Sequence, residues 1–199
     1  MLSDLATHAG QHAVLAGCAL AGALAAGVPL GIIAATCAPL RSPALALASI
    51  GRTLPSLAVL TLLLPIMGVG TAPAIVALAL LATPPIVIAV EVGIRGVPAP
   101  VLDAAAGMGM APIERFARVI VPLALPIVFA GVRTAATETI ASATLATFIG
   151  AGGLGDEIVR GLQTDDATVL FAGAVTVAAL ALSVELLLGR VGRYIAAAA

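Results

Sequence analysis

The chain has 199 residues, of which 61% are hydrophobic and only 10% charged, and its mean hydropathy is +1.20. Soluble domains carry about 25% charged residues, so this composition excludes a soluble globular domain and suits about five membrane spans of ~20 residues each. The net charge is −1 and all the basic residues are scattered arginines, so no basic patch forms and nucleic acid is excluded as a partner.

The first dozen residues place Asp4, His8 and His12 at i, i+4 and i+8, on one helix face. A metal site there is conceivable, and an exposed amphipathic stub is the simpler expectation. No basic residue precedes the apolar run, and the charge-free stretch to Pro39 outlasts a signal-peptide core, so a retained first span is expected at about 13–38. Gly27, Pro29 and Gly31 mark a bend in it. Cys18 and Cys37 share this span roughly 30 Å apart, too far to bridge, and serve as small apolar fillers. A second span is expected at about 53–67, starting near Pro55. A glycine-containing turn leads to a third at about 74–92, interrupted by Pro84 and Pro85. A long polar loop, about 93–122, precedes a fourth span at about 123–149, and a glycine- and acid-rich segment precedes a fifth at about 167–188. Proline within a span is tolerated where neighbouring helices re-satisfy the freed carbonyls, and abundant Ala and Gly allow close helix approach. The expected fold is therefore all-α: a polytopic bundle of about five spans forming one transmembrane domain over 1–199.

Arginine counting orients it. With the N-terminus outside and the C-terminus inside, Arg41, Arg52, Arg95, Arg115, Arg118, Arg190 and Arg193 fall on the inner side. The outer side receives only Arg160, among Asp156, Glu157, Asp165 and Asp166. The polar loop then faces the cytoplasm.

That loop contains DAAAGMGMAPIERFARVIVP at 103–122. Asp103, Ala104 and Ala105 are followed by Gly109, six residues after the acid, and then by Val119, Val121 and Pro122. Residues 101–106 suit a short helix with a small alanine face, Gly107 and Gly109 allow a sharp turn, and Pro112 starts a second helical stretch with Glu114, Arg115 and Arg118. Taken alone, the loop reads either as a docking element or as a solvated amphipathic loop on the lipid surface. Its spacing resembles the signature loop of bacterial ABC importer permeases, with Asp in place of the usual Glu. Further stretches, TLPSLA at 53–58, GIRGV at 93–97, GMGM at 107–110 and FIGAGGLG at 148–155, resemble the osmoprotectant branch of that family, which imports glycine betaine, choline, carnitine or proline-like solutes. Arg52 and Glu91 depart from it, standing where uncharged polar residues are expected.

The resemblance implies a multi-pass subunit of the bacterial plasma (inner) membrane. It implies a cytoplasmic coupling helix between spans three and four, with Asp103, Ala104, Ala105, Gly107, Gly109 and Pro122 as ATPase-coupling residues. The partners are cytoplasmic ABC ATPase subunits, a second permease copy or a paralogue, an extracytoplasmic solute-binding protein and the lipid bilayer. The chain has no G-x-x-x-x-G-K-[ST] loop, so no cofactor is expected on it; ATP and Mg would sit on the ATPase subunits. With no Trp, one Tyr and four Phe, it is poor in the aromatic cages that hold quaternary ammonium groups, which places selectivity on a partner.

Three intramembrane charges need an explanation. Arg133 is expected to snorkel to the cytoplasmic interface, with a pathway role as the alternative, and Glu185 to meet Arg190 or headgroups. Glu138, deep in the fourth span, must face water, pair across helices or be protonated. With Pro55, Pro84 and Pro85 it is assigned to the translocation path or subunit interface. Gly152, Gly153, Gly155 and Asp156 are assigned to an outer gate or binding-protein docking surface, the alternative being a loop that caps the bundle. A self-contained channel or secondary transporter is the competing function, although no internal repeat supports it. Both histidines precede the first span and no H-E-x-x-H motif exists, which leaves little room for an intramembrane enzyme.

Overall fold

Four stretches are long and apolar enough to cross a membrane: Ser3–Thr36, Thr71–Arg95, Pro112–Ile149 and Ala167–Ala197. A fifth crossing arises if Ala38–Thr53 and Ser56–Met67, bent by 99° against each other, count as one broken span. The structure, a computed structural model, describes residues 2–198, and its elements there are all helical. They are α1 (Leu2–Thr36), α2 (Ala38–Thr53), α3 (Ser56–Leu62), α4 (Leu64–Met67), α5 (Thr71–Arg95), α6 (Ala99–Gly107), α7 (Pro112–Arg115), α8 (Val121–Ala143), α9 (Leu154–Gln163) and α10 (Ala167–Ala198). A π-helical turn, Phe116–Ile120, joins α7 to α8, and a 3-10 helix, Thr144–Ile149, extends α8. The chain is thus an all-α, polytopic membrane protein.

Proline chemistry explains where these elements break and where they do not. Pro55 has no amide hydrogen and forces Leu54 into an extended conformation (φ −71°, ψ 129°), so α2 ends there and the chain turns into α3. Counted as one span, α2 with α3 and α4 form a bent pair starting at Ala38, and the expected span at about 53–67 covers its second arm. Pro122 removes the bond that would reach back four residues. The amide of Val121 bonds the carbonyl of Phe116 five residues back, which makes the π-helical turn. Pro84 and Pro85 lie inside α5 without ending it. α1 likewise continues as helix through Pro29, and Gly27 and Gly31 are contact points against α5.

α5 is the centre of the bundle, with α1 and α8 packed along it and α2 laid across α1 and α5. α10 packs on α8 and α9. The contacts need small residues. A Cβ added at Gly31 would lie 2.5 Å from Val90 Cβ, one at Gly27 3.0 Å from Ile86 Cβ, and one at Gly131 of α8 2.1 Å from Ala89 Cβ. These glycines let backbones approach closely, which supplies dispersion energy where lipid offers no hydrophobic driving force between helices. The buried core is correspondingly rich in alanine, with Ala23, Ala82 and Ala135 around Ile86 and Val90, and Ala74, Ala77, Ala143 and Ala146 around Leu60 and Leu78. Large apolar side chains such as Leu47, Leu80, Val175 and Leu186 point outward, as a surface solvated by lipid or covered by another subunit requires.

Ion pairs tie the helices together near their ends. At the end carrying α6, the buried Glu91 of α5 accepts a hydrogen bond from Arg41 Nε of α2 at 2.6 Å and lies 3.6 Å from Arg95. Arg133 of α8 donates to Glu185 of α10, Nε to Oε1 at 2.7 Å, where Glu185 was expected to meet Arg190 or headgroups. At the opposite end His8 meets Glu157 at 2.7 Å, and Arg160 also pairs with Glu157. His12 is fully buried, with Nε2 2.9 Å from the Ile140 carbonyl. The N-terminal face is thus packed against α8 and α9 where an exposed stub was expected. Among the described residues no cluster of three or more ligands could hold a metal ion.

The glycine contacts give a direct test. Gly131→Ala should lower the melting temperature of the purified chain in detergent by several degrees, since overpacking a tight contact costs about 1–3 kcal/mol. Gly17→Ala, where an added Cβ meets nothing within 4 Å, should leave it unchanged or slightly raised. Circular dichroism melts of the two variants check this.

Candidate translocation cleft and coupling element

The sequence 99–122 folds into a knuckle outside the bundle. α6 begins after Pro98, which is extended (ψ 133°), and ends where the Met108 amide bonds the Ala104 carbonyl. The chain reverses at Gly109, whose φ of +82° favours glycine, and the Met110 amide returns to the Ala105 carbonyl at 3.2 Å. Gly107 is the last residue of α6 and has no positive φ, so the sharp turn belongs to Gly109 alone. Ala105 faces inward and is buried, whereas Asp103, Ala104, Gly107 and Gly109 are exposed. Met108 and Ile113, both over 70% exposed, form an apolar tip beyond the helix ends. Glu114 and Arg118 pair at 2.9 Å one turn apart on the way back. Pro122, in the first turn of α8, sets the π-helical turn through which the knuckle joins the bundle.

A second feature lies inside the bundle. Gly51, Arg52, Leu54 and Ser56 at the α2–α3 bend, Leu78, Leu81 and Ala82 of α5, and Glu138, Thr139 and Ser142 of α8 line a cleft of about 250 Å³. Glu138 is exposed to this cleft, and among the described residues it has no hydrogen-bond or ion-pair partner. It sits seventeen residues past Val121, roughly 25 Å along the helix. Arg52 also lacks a partner there.

The depth of Arg52 is not legible from the sequence, which groups it with the inner arginines. α2 carries it eleven residues beyond Arg41, roughly 16 Å up the bundle. The neighbouring Gly51 packs against Pro84, a would-be Cβ lying 2.9 Å from its ring, about halfway along α5. α2, starting at Ala38, thus carries the arginine to the level of mid-α5 before the chain bends by 99° at Pro55.

The other assigned positions divide by burial. Pro55 is exposed at the bend, next to cleft-lining Leu54 and Ser56. Pro84 and Pro85 are buried, Pro84 under Gly51 and the Pro85 carbonyl 3.1 Å from the position a Cβ on Gly131 would take. In the outer segment, Gly152 and Gly153 have φ of +79° and +92°. Gly153 lies against the His12 ring and is buried, as is Gly155, whose added Cβ would lie 2.2 Å from the Thr144 carbonyl. Asp156 is half-buried and accepts a hydrogen bond from Thr147. The segment is fastened to α1 and to the 3-10 turn, with its α9 face carrying Glu157 buried against His8 and Arg160.

With this geometry in place, comparison with known proteins is informative. The fold matches an inward-facing structure of the MetNI methionine ABC transporter with a TM-score of 0.85 at 23% identity, covering 96% of this chain and 95% of that one. It also matches an amino acid ABC transporter with a TM-score of 0.81 at 17% identity, covering 96% and 93%. By sequence, the chain is 37% identical over 187 residues to the carnitine transport permease protein OpuCB of Listeria monocytogenes, covering 94% of this chain and 86% of the relative. It is 42% identical over 161 residues to the choline transport system permease protein OpuBB of Bacillus subtilis (strain 168), covering 81% and 74%. These likenesses leave the self-contained channel without support. Residues 27–196 match the binding-protein-dependent transport system inner membrane component family, and the chain belongs to it: a multi-pass inner-membrane permease subunit of an ABC importer.

Proposed function

We propose that this permease imports a small osmoprotectant, a quaternary ammonium or proline-like solute, through the cleft beside Glu138. ATPase subunits on the cytoplasmic side drive it by pushing on the 103–122 knuckle. Relatives named for glycine betaine, carnitine and choline transport in Bacillus subtilis and for osmoprotectant import in Salmonella typhimurium support the solute class. The N-terminus lies outside and the C-terminus inside, an orientation that Arg41, Arg95, Arg115, Arg118, Arg190 and Arg193 still favour once Arg52 is moved to mid-depth. Two such permeases, identical or paralogous, pair in the membrane. An extracytoplasmic solute-binding protein docks on the side of Gly152, Gly153, Gly155 and Asp156, and ATP and Mg reside on the ATPase subunits.

One observation carries the coupling mechanism: the two helices that flank the knuckle, α5 and α8, are the same two that wall the cleft. A displacement of α6 therefore acts on the inner ends of both walls. Because Gly131 and Ala89 hold α5 and α8 in close contact, and Gly51 and Arg41 tie α2 to α5, the three move as a stiff unit against α3, where the proline bend supplies a hinge. Asp103 and Ala104 present the exposed face of α6, and the apolar tip of Met108 and Ile113 suits a groove on a soluble partner. ATP-driven closure of the ATPases biases a two-state equilibrium between outward and inward access; the permease contributes the lever and the cleft. Within the cleft Glu138 attracts the cationic head of the solute, a role suited to an unpaired mid-membrane carboxylate facing a polar cavity.

Two measurements test this. Ala104→Trp should uncouple the complex, leaving ATP hydrolysis at half its rate or more while uptake falls at least tenfold, and the membrane should still contain the permease; normal uptake would remove α6 from the coupling path. Glu138→Gln should lower uptake several-fold while the ATPases still co-purify. Wild-type uptake in that variant would exclude Glu138 from the route.

A further inference from the structure

Two opposite charges share the cleft without touching each other. Arg52 and Glu138 both line it, neither has a partner among the described residues, and no ion pair within 4.0 Å forms between them. Each stands at the level of mid-helix in the bundle, where an uncompensated charge is costly on insertion. Such groups are retained near mid-depth when something supplies the missing counter-charge. The hydroxyls of Ser56 and Ser142 also line the cleft without a recorded hydrogen bond, whereas Thr139 spends its hydroxyl on the Ala135 carbonyl at 2.6 Å. No aromatic residue lines the space, so a cation–π cage is absent from it. Its volume of about 250 Å³ corresponds to roughly eight waters at ~30 Å³ each, the scale of a solute with about as many non-hydrogen atoms.

We propose that the Arg52–Glu138 cleft is a transport subsite for a zwitterionic solute, with Arg52 receiving the carboxylate and Glu138 the quaternary or secondary ammonium. The inference rests on the osmoprotectant import proposed above and narrows it from cationic alcohols such as choline to betaines and proline-like solutes. The chemistry is selective for a physical reason. A zwitterion answers both charges at once and adds no net charge to a low-dielectric site. Choline answers only Glu138 and leaves the guanidinium unpaired. Arg52 can form two parallel hydrogen bonds to a carboxylate, a geometry that no other side chain lining the cleft offers. Ser56 and Ser142 supply hydroxyl donors to the same end.

The test uses the whole importer, with its ATPases and binding protein, reconstituted in proteoliposomes with ATP on the ATPase side. Uptake of labelled glycine betaine and labelled choline is measured side by side. The wild type should favour glycine betaine. Arg52→Gln should lower the ratio of glycine betaine to choline uptake at least tenfold, and Arg52→Lys should recover part of it. Glu138→Gln should reduce both solutes and hold that ratio within about twofold. An equal loss of both solutes in Arg52→Gln, or an unaltered ratio, would sink the subsite. Wild-type uptake of choline alone would overturn it while leaving osmoprotectant import intact; uptake of neither solute, nor of carnitine or proline, would overturn both. Should Arg52→Gln fail to assemble, the wild-type complex decides: glycine betaine at tens of millimolar should slow phenylglyoxal modification of Arg52, read by mass spectrometry, and choline should not. Equal modification under both solutes would count against the proposal.

Discussion

The whole arrangement depends on backbone-to-backbone approach along α5. Gly27 and Gly31 of α1 meet Ile86 and Val90 on one side, Gly131 of α8 meets Ala89 on another, and Gly51 of α2 meets Pro84 on a third. In lipid, apolar side chains gain nothing by leaving one hydrocarbon environment for another, so helices associate through dispersion, which falls off steeply with distance. Small residues at these points therefore fix how close and at what height each helix sits. The height matters most for α2, because the Gly51–Pro84 contact sets the level of Arg52.

Charges in this bundle fall into two groups with different consequences. Arg41, Glu91 and Arg95 meet near one end of α5, and His8, Glu157 and Arg160 meet at the other end of the bundle. Glu91 and Glu157 are almost fully buried, so each needs its partners, and losing one would strand a carboxylate. These clusters clamp helices distant in sequence. Arg52 and Glu138 belong to the other group: they face a polar cleft instead of each other. The departure from family expectation at Arg52 and Glu91 thus has two separate explanations, a cleft-facing charge in one case and a structural clamp in the other.

How much of this the sequence disclosed depended on whether the deciding contact was local. The long apolar runs around α5, α8 and α10 announced helices, because a membrane span satisfies its backbone within itself. The knuckle was legible for the same reason: small alanines, Gly109 and Pro122 act over a few residues. The level of Arg52 was not, since hydropathy places a charge at a membrane face unless a contact such as that of Gly51 with Pro84, more than thirty residues away, holds it elsewhere. The burial of His12 rests on Ile140, and the partner of Arg133 is Glu185, both across helices whose adjacency no periodicity reveals. The contacts of Gly27 and Gly31 with α5 were not legible either, because glycine signals a bend or a close approach equally well and only the neighbouring helix shows the second.

The same geometry bears on the proposed coupling, in which a small movement at the knuckle has to reach the cleft. A flexible connection would dissipate it, but α5 runs without a break from Thr71 to Arg95 despite two prolines, and α8 adjoins the knuckle through a tight π-helical turn. Glycine contacts lock the two against sliding, since a 2.1 Å clash for even one added carbon leaves no slack between them. The α2–α3 bend is held more loosely: Leu54 and Pro55 are extended and exposed, the Leu54 amide reaches the Gly51 carbonyl only at 3.4 Å, and the Pro55 carbonyl takes the Val59 amide at 3.2 Å. In the proposed mechanism, a stiff pair working against this joint would turn a push at Asp103 and Ala104 into a change in the cleft between Glu138 on α8 and Ser56 beyond the bend.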